Sequence, residues 1–457
     1  TITGPIKADA NGDGGVIVVN DNAGGAGNTA TFSGPIGSDT DQVGRVFVGD
    51  SSVGDTALQM AGQATFQSDV YTKELKVESV DAGSPASNNT TESVAIFEGN
   101  VTVGDSGGAT LNATNATSGD DAIAVFKAGA NFGNSDLTLD MASAGANEVA
   151  EAVFADTGNS QTISGDIKAQ SNGEGLVTVV NDQSEVSISG QLGASGTNLG
   201  TINVGDSSVN GGQQNAGRAV FNNQVFANTI EVESVNGVSS RARFNDNLTA
   251  NDVNVRQNAT ARITSQIDVS NRIKLEDGAT LDAKGQVTNG GATNNLEVDS
   301  NATATLLFGD GLSNSQTALD LTGAGTGTIT IGSGGQLDVK LDGASDLTAG
   351  ETVTVIDKPM SANNVDFANG TSTNGVNLVS GALTLTKAGS NGADTLIVDL
   401  KADTDAPEAA QNLVNIKNAD ASSAVQDIKA ALIDAGNDTK KVEDIAKQAD
   451  GEGAAAT

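Results

Sequence analysis

One short segment has residues spaced as they are in a calcium-binding loop. Asp9, Asn11 and Asp13 place side-chain oxygens at loop positions 1, 3 and 5, and a glycine follows at position 6. Position 12, a bidentate glutamate in EF-hands, is Asn20 here. These four residues are therefore a candidate metal site, and calcium is the one cofactor that the sequence suggests. The same residue types also suit a tight corner of a coil that holds no ion.

Catalytic constellations are hard to build from this composition. The chain has no histidine and no cysteine, which excludes Ser-His-Asp and Cys-His nucleophiles as well as histidine or thiolate metal sites. Glycoside hydrolysis needs two carboxylates about 5–10 Å apart, but 57 acidic residues single out no pair. Tyr71 is the only tyrosine and tryptophan is absent, so aromatic sugar platforms are scarce. We expect no catalytic residues and no enzyme.

The charge of the chain restricts its partners. Lys and Arg number 23 against 57 Asp and Glu, which gives a formal net charge of −34 at pH 7. Such a charge repels phosphate backbones and anionic lipid surfaces, so we expect no binding to nucleic acid or to membrane surfaces. No stretch approaches the roughly 20 apolar residues of a membrane helix, so we expect no transmembrane segment in this chain.

An internal duplication is the most informative pattern. Five short blocks recur in one order, with an offset that drifts from 161 to 155 residues. The paired blocks begin at Ile2 and Ile163, Val18 and Val179, Val48 and Val204, Ala61 and Ala216, and Val77 and Val232. Five matches in one order indicate that residues 1–160 and 161–300 are related units.

A finer motif, Ala-x-Phe followed by a polar turn and β-branched residues, runs through both units. Its phenylalanines stand 34, 31, 29 and 28 residues apart, at Phe32, Phe66, Phe97, Phe126 and Phe154. This spacing matches about one coil of a β-solenoid per motif. Because only 37% of the residues are hydrophobic and 3% are aromatic, a thin core built coil upon coil suits the chain. We expect the phenylalanines to stack in a column inside the coil.

The C-terminal third changes in character. Strands from about residue 327 onward alternate apolar and polar residues, and the last two, Leu383–Thr386 and Thr395–Leu400, flank a loop that suits a hairpin. A solenoid end needs a cap, and this segment is the candidate. After Asp405 the pattern favours short, alanine-rich helices.

The Ala-x-Phe solenoid and the end segment from Gly335 resemble the passenger region of bacterial autotransporters, and the stretch after Asp405 is similar to the linker before their membrane barrel. The resemblance covers most of the chain, and it rests on the general character of these segments and on their order. It implies a passenger released or truncated before its barrel. The chain also begins at Thr1 with neither an initiator methionine nor a signal peptide, which suggests a processed product or a fragment. Surface-layer proteins share the acidic, cysteine-free composition, so that interpretation stays open.

The expected fold is all-β: a right-handed parallel β-helix, or β-solenoid, with a β cap and a short C-terminal α-helical segment. The expected divisions are a first solenoid unit at 1–160, a second unit and its continuation at 161–326, the cap region at 327–404 and a helical tail or linker at 405–457.

The expected function is that of a non-enzymatic, structural or adhesive protein, extracellular or on the outer surface of a bacterium. We expect it to assemble with copies of itself into a layer or filament, with cell-surface glycans or proteins as further candidate partners. Two alternatives stay open: a monomeric autotransporter adhesin that binds host or neighbouring cells, and a polysaccharide-acting β-helix enzyme.

Overall fold

The structure is a computed structural model in which every described element is a β-strand. The chain forms two compact units, 1–254 and 255–457. The described residues are 1–8, 15–19, 29–49, 61–79, 92–113, 121–141, 149–155, 158–206, 215–290, 295–322, 329–343, 345–357, 376–379, 383–389 and 395–402. The all-β prediction is confirmed for these residues, whereas the helices expected within 405–457 lie outside them.

The described residues of the first unit form twenty strands, the last of which ends one residue beyond the unit. They are β1 (Val16–Val19), β2 (Ala30–Phe32), β3 (Val43–Val48), β4 (Gln63–Phe66), β5 (Val70–Glu78), β6 (Ser93–Phe97), β7 (Val101–Ala113), β8 (Ala122–Phe126), β9 (Ala130–Asn131), β10 (Leu137–Met141), β11 (Ala150–Ala155), β12 (Gln161–Ser164), β13 (Ile167–Ala169), β14 (Glu174–Val180), β15 (Val186–Ile188), β16 (Leu199–Val204), β17 (Arg218–Phe221), β18 (Val225–Val232), β19 (Arg241–Phe244) and β20 (Leu248–Val255).

The second unit contains the remaining strands of the described residues. They are β21 (Thr260–Ile263), β22 (Ile267–Leu275), β23 (Thr280–Ala283), β24 (Val287–Thr288), β25 (Leu296–Val298), β26 (Thr303–Phe308), β27 (Thr317–Asp320), β28 (Ile329–Ile331), β29 (Gln336–Leu341), β30 (Thr352–Asp357), β31 (Val376–Val379), β32 (Leu383–Gly389) and β33 (Thr395–Ala402).

In the first unit each coil has three faces, which the chain visits in the order A, B, C. Face A is the parallel sheet β2-β4-β6-β8-β11-β14-β16-β18-β20. Face B contains Val70, Val101, Ala130 and Ile163, which are register partners on successive coils. Face C contains β1, β3, β10 and β13, and the long strands β5 and β7 pass from face B to face C. The predicted parallel β-solenoid is therefore present.

A column of aromatic rings fills the inner side of face A. Phe32, Phe66, Phe97, Phe126 and Phe154 are all buried, and neighbouring rings stack with centroids 4.9–5.5 Å apart. The rings line up because their strands are parallel and in register, so each phenylalanine pairs with the phenylalanine of the next coil. The predicted column is confirmed for these five residues.

Equivalent residues of the two sequence copies lie on different faces of the solenoid. Phe66 and Phe221 are equivalent in sequence, but the column of Phe66 continues through Phe154 into Val179 on face A, whereas Phe221 lies on face B. Val225, the counterpart of Val70, likewise lies on face C. Each position of the second copy is therefore one face later than its counterpart, and equivalent surfaces of the copies point in different directions.

One buried serine in each copy shows that the duplication extends to detailed geometry. Ser93 Oγ accepts a hydrogen bond from the Gly62 amide (3.1 Å) and donates one to the Glu78 carbonyl (2.6 Å). The second copy repeats both bonds with Ser240, Gly217 and Glu233. Each serine thus satisfies one donor and one acceptor that would otherwise be buried without a partner.

The second unit changes from parallel to antiparallel pairing near its end. Strands β24, β27 and β30 pair in parallel, and β33 then pairs antiparallel with both β30 and β32. The hairpin expected between residues 383 and 400 is therefore present as β32 and β33. β33 lies beside β30, and β32 pairs with the other side of β33. The hairpin therefore extends the sheet formed by the parallel strands β24, β27 and β30.

Removing one ring from the aromatic column should destabilise the first unit strongly. We expect Phe97→Ala to lower the free energy of unfolding by about 3–5 kcal/mol, because it removes a fully buried ring and leaves a cavity. Phe226→Ala is the matched control, because Phe226 is only half-buried. Denaturant unfolding followed by circular dichroism measures both variants. Equal losses in the two variants would contradict the stacked core.

Candidate functional site

Outward-facing side chains of successive coils stand beside one another and form ladders along the surface. On face B of the first unit, Asn222 Nδ2 donates a hydrogen bond to Ser187 Oγ (2.9 Å), and Asn245 Nδ2 donates one to Asn222 Oδ1 (2.8 Å). The second unit has ladders of ion pairs instead, each joining a cation to a carboxylate of the following coil. They are Arg256–Glu276 (2.8 Å), Lys274–Asp299 (2.9 Å) and Arg272–Glu297 (3.2 Å).

The densest charged cluster is centred on Arg262 of β21. Its guanidinium bonds Asp282, the register partner on β23, and also reaches Asp342 (3.3 Å) and Asp310 (3.7 Å). Lys284 Nζ lies 3.2 Å from Asp310 Oδ2. Arg262 alternates with the buried residues of β21 and therefore points outward. The cluster gathers three carboxylates and two cations on one outer surface of the second unit, and we name it the Arg262 cluster.

Asp282 is the most perturbed member of the Arg262 cluster. Burial raises its pKa to about 6, even though the charge of Arg262 acts in the opposite direction. Its second oxygen, Oδ1, is buried and has no hydrogen-bond partner among the described residues. A carboxyl with such a pKa can exchange a proton near neutral pH. The guanidinium, however, already engages all three carboxylates, which makes the cluster foremost a clamp between coils.

A second perturbed carboxyl lies on the outer side of face A. Glu151 is 1% exposed, and its Oε1 accepts a hydrogen bond from Thr178 Oγ1 (2.6 Å). Burial raises the pKa of Glu151 to about 7, opposed by the Thr178 hydrogen bond and assisted by the charge of Asp206. No hydrogen-bond partner for Oε2 occurs among the described residues. Glu151 therefore sits where its neutral form is favoured.

The predicted calcium residues Asp9, Asn11, Asp13 and Asn20 all lie outside the described residues, so calcium at that loop stays a prediction. Within the described part of the chain, no group of three or more Asp, Glu, His or Cys side chains is placed to hold a metal ion. The three aspartates of the Arg262 cluster fit that finding, because they are arranged around a guanidinium.

Reasoning from the sequence did not identify Arg262, Asp282 or Glu151 as notable residues. The signal for Arg262 was available, since it occupies the variable position of a weakened Ala-x-Phe motif, Ala261-Arg262-Ile263, and that position points outward. Its three aspartate partners come from three separate coils, so no local spacing links them. Only the length of each coil brings them together.

Comparisons with protein-family models, with curated proteins and with solved structures found no match to this chain. Among the described residues, no helix has the length and apolar character needed to cross a membrane.

The Arg262 cluster should be important for stability. We expect Arg262→Gln to lower the free energy of unfolding by about 3 kcal/mol, because it leaves the buried carboxylate of Asp282 without its counter-ion. The control is Arg45→Gln, which breaks a more exposed ion pair with Glu74 and should cost at most about 1 kcal/mol. Thermal and denaturant unfolding measure both. An Arg262→Gln loss no larger than that of the control would contradict the clamp.

Glu151 should make the protein less stable at alkaline pH. Its pKa is raised in the folded state, so its contribution to stability is full below the ordinary glutamate pKa and is lost as pH rises through about 7. We expect Glu151→Gln to remove that part of the decline, on the order of 3 kcal/mol between pH 5 and pH 8. Glu185→Gln, at an exposed carboxyl, should leave the decline unchanged. Unfolding midpoints at the two pH values decide between these results.

Proposed function

We propose that this chain is a non-enzymatic, structural protein of the outer surface of a bacterium, which assembles with copies of itself into a layer or filament. The observation that carries the proposal is the exposed edge of the first unit. In the described residues β1 pairs only with β3, and three apolar side chains of the first coil are largely exposed: Ile2 (47%), Val16 (52%) and Val18 (43%).

An edge of this kind favours association. An edge strand presents a row of unpaired backbone groups, which readily pairs with another strand. Globular proteins usually protect such strands with charges, proline or a bulge, but β1 has the sequence Val-Ile-Val-Val. Among the described residues, β1 therefore offers both backbone hydrogen-bonding groups and the exposed apolar side chains of Val16 and Val18, which supports strand-to-strand assembly.

The charge of the chain limits how its copies can associate. A net charge of −34 keeps separate molecules soluble, so assembly would depend on specific contacts that overcome repulsion. Polar ladders such as Ser187, Asn222 and Asn245 cover outer faces with hydrogen-bonding groups. They also favour the second candidate, an adhesin that binds cell-surface glycans or proteins as a monomer.

The Arg262 cluster is the observation that favours the third candidate, an enzyme that acts on polysaccharides. It places a buried acid of raised pKa beside a guanidinium on the outer side of the second unit. If this candidate were correct, purified protein would release reducing ends from an acidic polysaccharide, and Asp282→Asn would abolish the release without unfolding the protein.

Electron microscopy of the purified chain, with and without calcium, tests the leading proposal. We expect ordered sheets or fibres from the wild type and isolated particles from the double variant Val16→Lys, Val18→Lys, because lysine on an edge strand opposes pairing. Adding the same charges at the exposed positions Gln67 and Thr162 should leave assembly intact. Isolated particles from the wild type under all conditions would favour the monomeric adhesin.

A further inference from the structure

Three arginines lie together on the outer side of two adjacent strands of the first unit. Arg218 on β17 is the register partner of Arg241 on β19, and Arg243 stands opposite Val220. The residues that alternate with them, Ala219, Phe221, Ala242 and Phe244, are buried, so the arginines point away from the core. Arg218 and Arg241 are exposed and Arg243 is half-buried. We name these three residues the arginine surface.

The arginine surface has no counter-ion among the described residues. Each of the other four arginines of the chain contacts at least one carboxylate: Arg45, Arg256, Arg262 and Arg272. None of the three arginines on β17 and β19 forms an ion pair within the described part of the chain, and the buried Nε of Arg243 has no hydrogen-bond partner there. Like charges directly opposite each other on neighbouring strands are destabilising.

The internal duplication shows that this charge is a feature of the second copy alone. In the first copy, the positions equivalent to Arg218, Arg241 and Arg243 are Gln63, Val94 and Ile96. There, Val94 and Ile96 pack against a buried apolar cluster formed by Ile123, Val125, Val153, Ala155 and Val180. Equivalent positions of the repeat thus carry apolar, partly buried side chains in one copy and charged side chains in the other.

We infer that the arginine surface binds carboxylates of a second copy of this chain. The inference rests on the proposed assembly and specifies one of its contacts. A guanidinium matches a carboxylate with two parallel hydrogen bonds, and a chain with 57 acidic residues supplies that group in excess. Contact with a second copy would relieve the repulsion between Arg218 and Arg241 and would add a specific attraction between two molecules that otherwise repel each other.

The spacing between strands allows arginines on one copy to line up with carboxylates on another. Neighbouring strands stand about 4.8 Å apart, so Arg218 and Arg241 repeat at that spacing along the stack. Carboxylates on successive coils of the same fold repeat at the same spacing. Glu92 and Asp121, for example, immediately precede the register partners Ser93 and Ala122. An acidic ladder of another copy can therefore meet both arginines at once.

The test compares two variants of the full chain with equal charge change, Arg218→Gln with Arg241→Gln and, away from the first coil, Lys73→Gln with Lys127→Gln. Sedimentation velocity at a series of concentrations and salt levels measures assembly, and circular dichroism verifies folding. We expect the arginine variant to need at least a tenfold higher concentration to assemble, with a weaker dependence on salt, because guanidinium–carboxylate contacts are screened by ions. The lysine variant should assemble as the wild type does.

Three other outcomes would overturn the inference, and they can be told apart. If wild type and arginine variant assemble alike, the arginine surface is not a contact, although assembly itself stands. If the wild type stays monomeric at every concentration, both the inference and the proposed assembly fail. If the wild type stays monomeric but binds polygalacturonate, and the arginine variant does not, the surface serves an acidic polysaccharide instead of a second copy.

Discussion

The structure depends on one constraint: each coil of this chain buries its inward side chains by stacking in register on the coils directly before and after it. The stacked rings from Phe32 to Phe154 show this, since each ring contacts its counterparts at about one strand spacing. Such packing demands close backbone approach. A Cβ on Gly62 would lie 2.1 Å from the Val19 carbonyl oxygen, and one on Gly217 would lie 2.2 Å from that of Val179, so only glycine fits at these two positions.

Much of this architecture could be predicted because the coil repeat leaves a local signature. Alternating apolar and polar residues predict the strands, the Ala-x-Phe motif predicts the aromatic column, and the sequence at 388–392 predicts the hairpin of β32 and β33. The shift of one face between the two copies could not be predicted. It depends on the summed lengths of several coils, and the sequence offset between Phe66 and Phe221 does not show on which face a strand begins.

The same limitation explains why the charged clusters escaped prediction. Arg262 and Asp342 are 80 residues apart, and they meet only because intervening coils have particular lengths. Conversely, the feature with the clearest local spacing, the loop at Asp9, Asn11 and Asp13, lies outside the described residues. Local patterns thus identified the core, whereas the chemistry of the outer faces required knowledge of which residues occupy the same ladder.

The most direct test of the stacked coils uses the absence of cysteine from the chain. Thr65 and Ile96 are register partners on β4 and β6, about 4.8 Å apart at Cα, which is within disulfide range. We expect the double variant Thr65→Cys, Ile96→Cys to form an intramolecular disulfide on oxidation of the folded protein, detected by mass spectrometry. Thr65→Cys with Glu98→Cys, displaced by two residues, should not. Cross-linking of the displaced pair, or of neither pair, would contradict in-register stacking.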